Sequence, residues 1–456
     1  MKAMSFSDTV FALATPPGRS ALAVIRVTGS KALSIPDVFG AAPVKPRQTH
    51  RRWLKDSDGA LIDDVMMVGF EGPASATGED VLEIHCHGSL AVVEDILTCL
   101  AGVPGCRPAE AGEFTRRALD NGKTDITVAE GLLDLIDAET SLQRRQAAAQ
   151  MAGSLRRPVE SWRTEIITCL SLLEASIDFA DEELPETLEA EIKRRIQALH
   201  DDMQSGLATS RRGEIIRSGL SVVLAGPVNA GKSSTLNALA RRPAAIVSSR
   251  PGTTRDSVEV SLDISGVPVM LTDTAGWRDT DDSIEAEGIS RAKQAAQEAD
   301  LLMIVIDGSL PGWSERASTM AKWGTAETII LINKQDQGLV HEQDKLISEG
   351  FPEANLIAIS AQEHTGLDVL ESRLEAFVSS VNTASASVTL TRVRHKTALS
   401  EAVHHLKASL DLSVAEQTEL VAEEFRSASV ALSRILGQID IEDVLDQIFS
   451  SFCIGK

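Results

Sequence analysis

Positive charge is in short supply: 44 lysines and arginines stand against 66 aspartates and glutamates in 456 residues, a formal charge of −22. So acidic a surface repels phosphate backbones, which excludes a protein that coats nucleic acid by itself. Contact with RNA then falls to a partner or to local pairs such as Arg51/Arg52, Arg116/Arg117 or Arg144/Arg145, each of which singly reads as an ordinary solvated face. Cysteines are few, five and scattered, which excludes a disulfide framework and points to a reducing compartment. Long apolar runs are missing as well, since LLMIVI before Asp307 falls far short of the ~20 residues of a membrane span. The first ten residues, MKAMSFSDTV, hold one lysine, no arginine and no apolar stretch of signal length, so secretory and mitochondrial targeting are unsupported. The expectation is a soluble, cytoplasmic protein with no membrane association.

Two small clusters invite readings that the pattern does not sustain. His85-Cys86-His87 alternates on a strand, so neighbours point to opposite faces, and no second pair stands at zinc-finger spacing. Core and surface positions of one strand account for it. The terminal Cys453-Ile454-Gly455-Lys456 resembles a prenylation box only superficially, because Gly455 is not aliphatic and lysine is a poor last residue. The tail follows the apolar DVLDQIF directly and is expected to be docked; Cys453 is a candidate functional thiol whose environment the sequence leaves open.

What is present is a phosphate-binding loop, Gly226-Pro227-Val228-Asn229-Ala230-Gly231-Lys232-Ser233, between the strand-like SVVLA and the helix-like STLNALA. Its glycines let backbone N–H groups curve around phosphate oxygens at a helix start. Lys232 is placed to reach the β and γ phosphates and Ser233 to ligate Mg²⁺. Further elements follow in order. Thr254, in Gly252-Thr253-Thr254-Arg255-Asp256, is the expected second Mg²⁺ ligand. Asp273-Thr274-Ala275-Gly276 ends the strand-like VPVMLTD, with the aspartate suited to the outer sphere of the metal and Gly276 free to donate its N–H to the γ phosphate. Asn333-Lys334-Gln335-Asp336 follows an apolar run, and the Asp336 carboxylate can accept both donors of a guanine edge, which adenine does not offer. Ser360-Ala361 would brace the base from the other side. The nucleotide read from these residues is GTP.

Where small GTPases carry a glutamine after the glycine to orient water, this chain has Trp277, which has no amide for the task. Glu285 and Glu287 are available downstream, and a monovalent cation held by Asn229 and first-switch carbonyls is a candidate for the charge of an arginine finger. A finger is worth about 10³ to 10⁵ in rate, so its substitute must supply a similar amount.

Around this core the chain divides into 1–123, an α+β domain with strand-like ALAVIRV, DVMMVGF and EDVLEIHC; 124–217, helical, with Ile166, Leu170, Leu173 and Ile177 at helical spacing; 218–379, the α/β P-loop (Ras-like) GTPase domain; and 380–456, helical again, with Ile435, Ile439, Val444, Leu445 and Ile448 apolar. Neither helical part alone can enclose a core. A GTPase domain inserted into one helical domain accounts for both.

From end to end the chain resembles the MnmE (TrmE) family of GTPases that modify the tRNA wobble uridine. The resemblance is carried by Ala14-Thr15-Pro16-Pro17-Gly18-Arg19, Gly78-Glu79-Asp80-Val81 with His87-Gly88, Gly112-Glu113-Phe114-Thr115, the GTPase motifs, and Phe452-Cys453-Ile454-Gly455-Lys456. It implies a homodimer formed through the N-terminal domain, with 5-formyl- or methylene-tetrahydrofolate held near the interface by Arg26, Glu83, Lys123 and Lys456. It implies an FAD-dependent partner, MnmG (GidA), in a heterotetramer or larger complex acting on tRNA to add an aminomethyl or carboxymethylaminomethyl group. It also implies GTPase domains that pair when K⁺ binds, with Asn229, Ser248, Arg250 and Thr253 at the K⁺ positions and Glu285 as the residue that orients water. GTP contacts by motif position would be Asn229, Ala230, Gly231, Lys232, Ser233, Ser234, Ser248, Thr253, Thr254, Asp273, Thr274, Ala275, Gly276, Asn333, Lys334, Asp336, Ser360 and Ala361. The alternative function is a ribosome-assembly or signalling switch, which an RNA-binding G-x-x-G appendage would favour; the C-terminal part has none.

Overall fold

The computed structural model describes residues 8–178, 186–242, 244–246, 259–273, 284–324, 327–381, 390–414 and 416–438, and beyond them Leu445, Ile448, Phe452 and Gly455. They group into two compact units. One takes Met1–Leu133, Gln150–Lys193 and His404–Lys456; the other takes Asp134–Ala149 and Arg194–Val403.

The first unit begins with β1 (Thr9–Leu13), β2 (Ser20–Thr28), the short α1 (Ile35–Val38), β3 (Thr49–Lys55), β4 (Leu61–Phe70), β5 (Val81–Gly88), α2 (Leu90–Ala101), β6 (Cys106–Pro108) and α3 (Glu113–Asp120). The strands order as β3-β4-β5-β2-β1-β6, antiparallel except for β1 with β6. Period-two alternation sends Ile25, Val27, Leu82, Ile84 and Cys86 to the face covered by Ile96 and Leu100 of α2. Cys86 is thus a core residue whose thiol burial pushes up to about 11. Its neighbours point the other way, His85 onto Glu83 and His87 onto Asp63 at 2.8 Å.

Arg117 departs from the solvated reading of its sequence pair: Arg116 is exposed, but the Arg117 side chain is wholly buried. The reason is a matched set of acceptors. Arg117 donates to Glu113 Oε1 at 2.9 Å, Glu79 Oε2 at 3.0 Å and Asp8 Oδ1 at 2.9 Å, while Arg107 holds Glu113 from the other side at 2.7 Å. Residues from Gly78-Glu79 and Gly112-Glu113-Phe114-Thr115 therefore meet in one ionic cluster beneath the sheet.

Helices α4 (Ile126–Ile136), α5 (Ser141–Met151), α6 (Arg156–Asp178), α7 (Glu186–Ala208) and α8 (Ser210–Ser218) lead to the second sheet. On α6 the buried stripe is Val159, Trp162, Ile166, Cys169 and Leu173; Leu170, expected on it, is only half-buried, because steps of three and four residues place Cys169 at its centre. The second sheet comprises β7 (Leu220–Ala225), β8 (Ala245–Ile246), β9 (Glu259–Ile264), β10 (Val267–Asp273), β11 (Leu301–Asp307), β12 (Glu327–Asn333) and β13 (Leu356–Ala358), with α9 (Lys232–Ala240), α10 (Ile284–Glu298), α11 (Trp313–Ala321), α12 (Gln343–Ser348) and α13 (Leu367–Val381) between or after them. Its order is β13-β12-β11-β7-β10-β9-β8, parallel from β13 to β10 and antiparallel at the β9–β8 edge. The run LLMIVI is apolar throughout because both its faces are covered: Leu301, Met303 and Val305 join Leu370, Leu374 and Phe377 of α13, while Leu302, Ile304 and Ile306 join Trp313 and Ala317 of α11.

Among the described residues α14 (Val393–Leu410) and α15 (Thr418–Ile435) follow. α15 packs along α6, and Arg426 reaches Glu174 at 3.0 Å, so helices from opposite sides of the GTPase segment share a core. α15 stops at Ile435; Leu445, Ile448 and Phe452 form a separate cluster with Ile126 and Leu133. At Gly455 (φ 100°) a Cβ would lie 2.4 Å from the Leu13 carbonyl oxygen, so only glycine lets the tail approach β1 this closely. Among the described residues no helix is long and apolar enough to cross a membrane.

Replacing Arg117 by methionine is expected to lower stability by about 3–5 kcal/mol, because Glu79 loses its guanidinium and the buried Glu113 keeps only Arg107 and the Glu110 N–H; a urea titration of the full chain checks this. Burial alone would raise the Glu113 carboxyl, but Arg107, the Glu110 N–H and Arg117 outweigh it and hold it below its ordinary 4.5. The cluster's contribution is therefore fully present above pH 4.5 and lost as acid passes through the lowered value, a loss that the R117M chain should show less steeply.

Candidate nucleotide site

The phosphate loop leaves β7 and enters α9. Asn229 and Gly231 take left-handed backbones (φ 63° and 102°), which bends the loop sharply at the helix start, where the Ala230 N–H donates to the Pro227 carbonyl at 3.3 Å. Gly231 is also fixed by space, since a Cβ there would stand 2.1 Å from Asn333 Nδ2. Lys232 Nζ donates to the carbonyls of Gly226 at 2.8 Å and Pro227 at 3.1 Å, which holds its ammonium over the loop. Ser233 Oγ donates to Asp273 Oδ2 at 2.8 Å. A hydroxyl and a carboxylate so placed are hard oxygen donors of the kind Mg²⁺ takes.

Asn333 ties the loop to the base-reading end. Its Nδ2 donates to the Ala230 carbonyl at 2.8 Å, and its Oδ1 accepts the Ala361 N–H at 3.0 Å. Lys334 adopts a left-handed backbone (φ 66°) and donates to Asp307 Oδ2 at 2.6 Å. Asp336 Oδ1 accepts Ser360 Oγ at 2.6 Å, which aims its carboxylate from a fixed position. One cluster thus assembles Ala230, Gly231, Asn333, Ser360 and Ala361, with Lys232, Ser233 and Asp273 at its phosphate end.

Asp307 was not among the residues singled out from the sequence. Burial would raise its carboxyl, but bonds from Lys334 and Ser309 hold it below the usual carboxylate range. Its signal was its place at the end of LLMIVI, which puts it in register with Asn333 across β11 and β12. Glu342 was missed as well: it accepts the N–H groups of Gly312 at 2.8 Å and Ser314 at 3.1 Å, and these bonds draw its carboxyl down to about 2. It caps α11, which packs Trp313 beneath β11.

Several expected positions lie outside the described residues: Ser248, Arg250, Thr253, Thr254, Thr274, Ala275, Gly276, Trp277, Cys453 and Lys456. Glu285 and Glu287 fall in the first turn of α10, and their side chains are likewise outside. Of the N-terminal set, Arg26 and Glu83 sit opposite each other on β2 and β5 and pair at 2.8 Å. The Arg26 guanidinium also lies 5.9 Å from the centre of the Phe114 ring. Lys123 follows α3 with its stem beside Gly78, where a Cβ would come within 3.1 Å of Lys123 Cγ.

Comparison with known proteins extends beyond the nucleotide cluster. Residues 9–123 match the family described as the GTP-binding protein TrmE N-terminus, and residues 126–453 match the MnmE helical domain. A tRNA modification GTPase MnmE from Maricaulis maris is 45% identical over 452 residues, 99% of this chain and 100% of that one. The chain belongs to the MnmE family. Two further MnmE proteins show the same span: that of Rhodopseudomonas palustris is 43% identical over 458 residues, covering 98% of this chain and 99% of the relative. The one from Caulobacter vibrioides is 42% identical over 454 residues, covering 99% and 100%. Like its MnmE relatives the chain is a GTP hydrolase.

With Asp336 read as the acceptor for a guanine edge, Asp336→Asn would set an amide donor against a guanine donor and match the extra oxygen of xanthine. The expected outcome is a loss of GTP affinity of roughly 10²-fold or more with a gain for xanthosine triphosphate, read by competition titration.

Proposed function

We propose that this GTPase serves the modification of the tRNA wobble uridine at C5, adding a carboxymethylaminomethyl or aminomethyl group. The observation that carries the reading is the span of the likeness: the relatives named tRNA modification GTPase match the N-terminal sheet and the helices as well as the GTPase segment. A nucleotide switch of another kind would need to share only the central domain.

In this reading Lys232 and the loop N–H groups bind the phosphates, Ser233 and Thr254 hold Mg²⁺, and Asp336 reads guanine between Asn333, Lys334 and Ser360-Ala361. Asn229, Ser248, Arg250 and Thr253 hold K⁺, which supplies the positive charge that an arginine finger would bring. Glu285 orients the attacking water, a task Trp277 has no group for. The GTPase domains of a homodimer face one another, and residues 218–379 act as an insert in a helical domain made of 124–217 and 380–456. Residues 1–123 dimerise and bind 5-formyl- or methylene-tetrahydrofolate through Arg26, Glu83, Lys123 and Lys456, whose cations suit its carboxylates. The redox chemistry falls to the FAD-dependent partner MnmG, the complex acts on tRNA in the cytoplasm, and Cys453 is a candidate functional thiol. The pairing of Arg26 with Glu83 over Phe114 supports a preset polar site on that sheet.

Deleting the gene is expected to leave wobble uridines unmodified in nucleoside mass spectrometry; a normal modification profile would sink the proposal in favour of an assembly or signalling switch. For Glu285→Ala, hydrolysis should fall by about 10²- to 10⁴-fold while GTP affinity stays unchanged, as turnover and equilibrium binding would show.

A further inference from the structure

We propose that the first turn of α5 reads the position of the β9–β10 hairpin and so couples the nucleotide state to the helical segments folded with the GTPase sheet. The inference rests on the GTPase assignment alone and needs no tRNA chemistry.

The hairpin lies between the two nucleotide-sensing motifs. β9 follows residues 247–258, which carry Gly252-Thr253-Thr254, and β10 ends at Asp273 of Asp273-Thr274-Ala275-Gly276. Its tip is the tight pair Ser265 and Gly266 (φ 54° and 86°), closed by the Gly266 N–H on Asp263 Oδ1 at 2.7 Å. Leu142 presses on that tip so closely that a Cβ on Gly266 would stand 2.8 Å from Leu142 Cγ. Further along β9, the buried Ser261 donates from Oγ to Glu139 Oε2 at 3.3 Å. Two side chains flanking the start of α5 thus touch the one element that joins both switches.

The start of α5 is stiff enough to transmit what it feels. Thr140 and Gln143 form a capping box: the Gln143 N–H donates to Thr140 Oγ1 at 3.3 Å, and Gln143 Oε1 accepts the N–H groups of Glu139 at 2.9 Å and Thr140 at 3.0 Å. The same helix is anchored on α8. Gln143 Nε2 donates to the Arg217 carbonyl at 3.0 Å and Gln146 Nε2 to the Gly213 carbonyl at 2.9 Å. α8 leads straight into β7 and the phosphate loop, and Arg217 Nε donates to the Thr391 carbonyl at 2.7 Å, which clasps the entry of the GTPase segment to its exit. α5 therefore rests on the α8 anchor and on the hairpin, whose two ends run on toward the switch motifs. A shift of β9–β10 against β7 levers α5 about its anchor, because Leu142 must follow the tip or leave its pocket.

Hydrogen exchange of the full chain, followed by mass spectrometry with GDP or with a non-hydrolysable GTP analogue, tests the lever. Amides 141–147 should exchange at rates differing about five-fold or more between the two states. Leu142→Ala should shrink that difference to below about two-fold, Leu142→Met should keep it, and the nucleotide affinity of both should stay within about two-fold of the parent. Glu139→Ala, at an exposed position, should weaken the response in the same sense and serves if the alanine at 142 fails to fold. Equal exchange of the parent chain in both states, or an undiminished difference in L142A, overturns the proposal, and neither result bears on wobble-uridine modification.

Discussion

The Asn333 carboxamide, nearly wholly buried, holds the phosphate loop by the Ala230 carbonyl and the base-bracing turn by the Ala361 N–H. A buried amide has little freedom: leaving either end unpaired would cost about 1–3 kcal/mol, so both loops are pinned to one side chain at the end of β12. The cluster follows from this. Gly231 has no Cβ because the amide nitrogen occupies that space, and the sheet places Asp307 where it can hold Lys334 at the same edge. The loop 226–233 and the turn at Ser360-Ala361 thus share one mechanical ground.

That ground was largely readable in advance. The strand–loop–helix around Lys232, the apolar run of β11 and the tetrad after β12 each follow local rules, a two-sided sheet demanding unbroken apolar residues and a phosphate loop demanding glycine. Asp307 and Glu342 escaped because their roles come from register and capping, which depend on partners far along the chain. Arg117 escaped for the same reason: next to Arg116 it looked like surface charge, and only the folded sheet delivers Asp8 and Glu79 to it. Helix periodicity found α6 but named Leu170 where Cys169 occupies the buried line, since a choice between adjacent positions is decided by the packing partner, here α15.

The ionic cluster around Arg117 also shows what the N-terminal motif residues do. Glu79 and Glu113 are spent on holding a buried guanidinium, whereas Arg26 and Glu83, one layer away, face a half-open surface and pair over Phe114. The charged residues of one domain are therefore divided between a buried framework and a pair left partly open to solvent. Substitutions in the first group are expected to act through folding.

The contact of Gly455 with the Leu13 carbonyl joins segments made at very different times during translation. β1 emerges early and can pair with β2 at once, yet the backbone that settles against its last residue leaves the ribosome only after the GTPase segment and both late helices have been synthesised. The first sheet can thus pair completely long before the end of β1 meets its last neighbour, and truncated products, however well their nucleotide domain folds, would lack that contact.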